Sequence, residues 1–66
     1  MKTYVAIANV LFFNDDEKRE LIFYAGNNLI KAQKSFDTPD GLDLTNAEVY
    51  FKTIQLWENH KFIRNL

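Results

Sequence analysis

The sequence predicts an α+β fold, a small antiparallel sheet in ββαββ order with one short helix on one face. Three observations predict it. Residues 3–13, TYVAIANVLFF, are apolar on both alternating faces and contain no strand breaker. A second strand-type run, ELIFYA at 20–25, follows one polar turn. Helical spacing is confined to the short stretch 29–36. The alternative is ββαα, with a helix over 46–59 in place of the second hairpin.

The first strand, 3–13, carries Val5, Ile7, Asn9, Leu11 and Phe13 on one face and Tyr4, Ala6, Ala8, Val10 and Phe12 on the other. The small side chains of Ala6 and Ala8 leave room for a helix to dock. Residues 14–19, NDDEKR, read as a polar turn, because Asn and Asp bond local backbone groups there. Gly26 ends the second strand, and Asn27 or Asn28 can cap a helix by accepting from a free backbone N–H. In the helix, Leu29, Ala32 and Phe36 share a face, while Lys31, Lys34 and Ser35 point outward. Two to three turns are too few to hold without packing. Residues 37–46 contain Pro39, Asp40 and Gly41 and read as a loop.

The segment 47–66 admits two readings. Thr45, Asn46, Ala47 and Glu48 fit a capping box, and Ala47, Tyr50, Phe51, Ile54 and Trp57 would then form a helical stripe. Yet the residues from Val49 to Trp57 are rich in β-branched and aromatic types, which lose side-chain freedom in a helix. The strand reading is preferred, with a tight turn at Glu58–Lys61 and a return strand from Phe62. Val49 and Phe51 differ in parity from Ile54 and Leu56, so a bulge is expected near Lys52 and Thr53. The expected core is Val5, Ile7, Leu11, Leu21, Phe23, Leu29, Phe36, Phe51, Ile54 and Leu56.

A chain of 66 residues is read as one domain, 1–66. At this size only about 60% of the unfolded surface is buried, so a supplement such as disulfides, a metal or oligomerisation is usual. The chain has no Cys and one His, which leaves oligomerisation, and a homo-oligomer is expected. Absence of Cys suits a reducing, cytoplasmic setting. No signal peptide is read at the N-terminus, and no apolar run approaches the roughly 20 residues of a membrane span. Eight basic and nine acidic residues give a net charge of -1, which argues against strong nucleic-acid binding.

No residue pattern points to catalysis, a cofactor or a metal. Asp15, Asp16 and Glu17 are adjacent carboxylates but lack the spaced ligands and central Gly of a calcium loop. Asp37, Asp40, Asp43 and Glu48 form a second acidic group that turn chemistry explains as well. His60 has no neighbouring nucleophile in a motif and reads as a surface turn residue. Lys31, Lys34, Lys52, Lys61 and Arg64, with Tyr50, Trp57 and Phe62, have the residue types of a stacking surface for single strands.

The order hairpin, helix, strand, with an acidic first turn, resembles the small phage inhibitors of host DNA-repair enzymes, uracil-DNA glycosylase inhibitors among them. The resemblance covers element order, includes no diagnostic motif and transfers no residue; the near-neutral charge departs from the strong acidity of those DNA mimics. The expected function is a small non-enzymatic protein-interaction module, acting through its sheet face or an edge strand. An inhibitor or accessory protein of a phage or mobile element would be of this kind. Its expected interface residues are Tyr4, Tyr50, Trp57 and Phe62, which suit buried anchors. The competing expectations are a nucleic-acid-binding accessory protein and a small-ligand binder in an oligomer cleft.

Overall fold

In the computed structural model, which describes residues 1–14, 16–37 and 46–66, four strands form one antiparallel sheet in the order β2-β1-β3-β4. The elements are β1 (Lys2–Phe12), β2 (Glu17–Gly26), α1 (Leu29–Lys34), β3 (Ala47–Glu58) and β4 (Lys61–Asn65). The expected class is corrected by this. The molecule is mostly a four-stranded antiparallel sheet, and its helical part is one helix of six residues among those described, shorter than the 29–36 expected. Fewer than two turns of helix form, because β-branched and aromatic residues dominate the remainder. The ββαα alternative is overturned as well, since 47–58 is extended. There, cross-strand pairing with β1 outweighs the capping box.

Two boundaries also move. The polar run 14–19 suits a turn, yet β2 already begins at Glu17. Lys18, Arg19 and Glu20 are tolerated in the ladder because β2 is an edge strand and its charges reach water. The helix ends at Lys34, where the N–H of Ser35 donates to the carbonyls of Lys31 and Ala32 and its Oγ donates to Ala32 O at 2.6 Å. At the other end Asn28 caps, its Oδ1 accepting from the Lys31 N–H at 3.0 Å. Asn28 N–H in turn donates to Tyr24 Oη at 3.2 Å, tying the cap to β2.

Register decides which residues share a face. Opposite β1, β2 has one extra residue, Phe23, between Tyr24 (facing Ala6) and Ile22 (facing Ile7). β3 has one extra residue, Tyr50, between Phe51 (facing Asn9) and Val49 (facing Val10). The bulge expected near Lys52 and Thr53 therefore lies at Tyr50. It places Val49, Lys52, Ile54 and Leu56 beside the even residues of β1. Phe51, Thr53, Gln55 and Trp57 lie beside the odd ones.

The helix packs on the even side, against β1 and β2. Its Ala32 is fully buried together with Ala6, Ala8 and Val10, and Leu56 completes the buried set. Four of the ten expected core residues, Val5, Ile7, Leu11 and Phe51, thus lie on the face away from the helix. Of the ten, Leu56 alone is buried, while Phe51 is 58% exposed. The reason is steric: alanines let the helix backbone approach closely, whereas among the described residues no helix lies over the Val5, Ile7 and Leu11 row. Phe36, just beyond the helix, meets Phe23 at 5.5 Å between ring centroids, and Lys52 Nζ sits 5.8 Å from the Phe36 ring.

Candidate functional site: the open face of the sheet

The side of the sheet away from α1 is built by alternation. β1 contributes Thr3, Val5, Ile7, Asn9 and Leu11. Across from them stand Ile22, Glu20 and Lys18 of β2, and Trp57, Gln55, Thr53 and Phe51 of β3. β4 adds Phe62, opposite Trp57, and Asn65, opposite Gln55. Ile22 is 63% exposed, an unusual state for a strand Ile flanked by other apolar residues.

One end of this face is aromatic. The rings of Trp57 and Phe62 meet edge to face, with centroids 5.7 Å apart and planes at 73°. Trp57 Nε1–H donates to Gln55 Oε1 at 3.1 Å, so the indole's polar edge is satisfied within the face. Beside it lies a hollow of about 440 Å³ lined by Met1, Thr3, Val5, Trp57, Asn59 and His60. A smaller hollow of about 150 Å³ lies farther along, bordered by Ile7, Asn9, Glu20, Phe51, Thr53 and Gln55 among others. The turn closing the aromatic end has positive φ at both Asn59 (52°) and His60 (66°), the signs of the tight hairpin turn that matches strand twist.

Of the four expected interface residues, the structure brings two together. Trp57 and Phe62 share the open face. Tyr50 is the extra residue of the β3 bulge and is 50% exposed. Tyr4 lies on the helix side, opposite Gly26 and Leu56, and is only partly exposed. Ile22 and Phe51 were missed as surface residues. Their signal was hidden by the two bulges, each of which shifts alternation by one residue.

The basic and aromatic groups of the stacking-surface reading are separated. Lys52 and Arg64 lie on the helix side, opposite Ala8 and Leu56, and Lys31 and Lys34 are on α1. Trp57 and Phe62 are on the other side, so stacked bases and phosphate contacts would not share one groove.

Among the described residues, no three His, Cys, Asp or Glu side chains gather as a metal site. Asp15, Asp40 and Asp43, parts of the two acidic groups, lie outside the described residues. Glu17 accepts from Arg19 Nη2 at 2.8 Å. That hydrogen bond and the adjacent positive charge hold its carboxyl below the ordinary range. Arg19 also lies 5.6 Å from the Phe12 ring, which places this pair on the helix side at the first hairpin. Among the described residues, no helix is long and apolar enough to cross a membrane. Comparisons with family models, with curated proteins and with solved structures find no match.

Proposed function

We propose that this chain is a non-enzymatic protein-interaction module whose binding surface is the open face of its sheet. The observation that carries this reading is the pairing of an apolar, aromatic-ended face with a core made almost wholly of small side chains. Among the described residues the largest side chain held fully out of water is Val10, while Ile22, Phe51 and Phe62 are 63%, 58% and 46% exposed on the other face. Large exposed apolar side chains gathered on one face are characteristic of protein contact sites. Trp57 suits an anchor, being preset by Gln55 and Phe62 and so losing little freedom on binding.

Site-specific photo-cross-linking tests this. A photoreactive phenylalanine analogue at Phe51 should join the chain to protein in cells. The same analogue at Ile30, equally exposed on the helix at 62%, should not. Trp57→Ala should weaken capture from Phe51 by at least ~10-fold, whereas Asp16→Ala should leave it unchanged. Capture from Ile30 alone, or a folded Trp57→Ala that cross-links as well as wild type, would reject the open face as the contact surface.

A further inference from the structure

We infer that the occupant of the open face is a second copy of this chain, packed face to face across a two-fold axis as a β-sandwich. The inference rests on the interface reading above and adds the partner's identity. Four observations support it. The first is excess surface: the chain exposes 4945 Å², against roughly 4,400 Å² for a typical folded monomer of its size. The second is shape. Its radius of gyration is 12.5 Å, where a compact domain of this length gives about 11 Å, and its extents of 39 × 19 × 16 Å describe an elongated body only one sheet and one short helix thick.

The third observation is area. Three long strands and one short one, spaced about 4.8 Å apart with about 3.3 Å per residue, present roughly 600 Å² in projection. Two such faces would bury on the order of 1,200 Å², where specific stable interfaces begin. The fourth is self-complementarity, which an isologous interface requires. Knobs and holes occur on the same surface. Ile22 and Phe51 stand out from it, and the hollow of about 440 Å³ beside Trp57 has room for a bulky apolar side chain. Of the polar groups near the middle, Asn9, Thr53 and Gln55 each carry both a donor and an acceptor, and Glu20 and Lys18 on the same face are charges of opposite sign that a two-fold can pair. A net charge of -1 sets little repulsion between copies.

Sedimentation equilibrium from 1 to 100 μM, with small-angle scattering of the same samples, tests the inference. The expected result is twice the chain mass. The expected particle keeps the 39 Å length and gains in its thinnest dimension, 16 Å, because stacked sheets lie about 10 Å apart. An edge-to-edge pair through β2 would instead double the 19 Å dimension, and that shape overturns the proposal. Phe51→Glu and Ile22→Glu should each raise the dimer dissociation constant at least ~10-fold with unchanged far-ultraviolet circular dichroism. Should either variant misfold, the wild-type mass and shape still decide. A folded variant that dimerises as well as wild type overturns the face assignment. A wild-type monomer at 100 μM overturns the second copy as occupant. If that monomer still cross-links from Phe51 to a different protein, the interaction reading stands; if it cross-links to nothing, both fall.

Discussion

Replacing Val10 by Ala measures how much the helix-side core holds. Val10 is fully buried, opposite Val49 and Arg19, and among the described residues it is the largest side chain with no exposure. Two methyl groups leave the core at ~0.8 kcal/mol each. The vacated space, roughly 50 Å³, adds about 1 kcal/mol more at ~24 cal/mol per Å³. The expected loss is therefore about 2–3 kcal/mol, a large part of the few kcal/mol available to so short a chain. In a thermal melt this corresponds to a fall of roughly 10–20 °C. The matched control is Phe51→Ala, which deletes a larger but 58% exposed ring from the open face. At the lowest usable protein concentration its loss should stay under about 1 kcal/mol, and it should grow with concentration as association stabilises the wild type. Urea titrations of both variants at two concentrations make the comparison. If Val10→Ala costs less than about 1 kcal/mol while Phe51→Ala costs more at every concentration, the core lies on the other face and the reasoning fails.

The remaining predictions concern turns and one ion pair. His60→Gly should stabilise the chain by about 0.5–1 kcal/mol in urea titration, because His60 holds φ 66° in the tight turn, where glycine has no steric cost. No gain would mean that the side chain's place in the hollow beside Trp57 offsets the strain. Gly26→Ala should destabilise by about 1 kcal/mol, since an added Cβ would lie 2.5 Å from Tyr24 Oη and 2.8 Å from Cζ, displacing the ring that accepts from Asn28. In a Tyr24→Ala background the same change should be neutral or favourable; an equal loss there would dismiss the steric explanation. Glu17, whose folded carboxyl titrates below its ordinary value near 4.5, contributes stability that is present above that value and is lost as pH falls through the folded value. The wild type should thus lead Glu17→Gln slightly at pH 6 in low salt, and the lead should shrink toward pH 3 and in high salt; a lead that grows on acidification would contradict the pairing with Arg19.

Much of the chain path was legible because local chemistry and tertiary context agree there. The unbroken run at 3–13 admits no reading except strand, and Asn28 followed by a short helical spacing announces the cap that the Lys31 N–H uses. The turn at Glu58–Lys61 was readable too, since Asn tolerates positive φ and stands between two strand-type runs. The start of β2 was not. Glu17 to Glu20 resemble a solvated turn, and they join the ladder only because β1 offers a paired edge beside them. Local sequence holds no record of that offer. The length of the helix was overread for a related reason: Phe36 keeps the helical spacing of its face, but its ring packs on Phe23 from a turn beyond the last helical residue.

The assignment of faces depended on something harder to read. With strict alternation, every apolar residue on a strand has a parity, and the bulky row Val5, Ile7 and Leu11 looks like the natural core. Two features reverse that. Alanines at 6 and 8 make the other side of β1 the one on which a helix can sit close, so burial follows smallness rather than hydrophobicity. The extra residues Phe23 and Tyr50 then bring Leu21, Tyr24, Val49, Ile54 and Leu56 to the helix side and leave Ile22 and Phe51 on the other. A one-residue bulge moves every later side chain to the opposite face. Neither position announces itself, since both are aromatic residues of high strand propensity. The open face acquires its protruding apolar groups from the same two bulges that complete the core. The contact surface and the fold are consequently specified together, and correcting the register of either strand by deleting Phe23 or Tyr50 would move apolar residues of one into the place of the other.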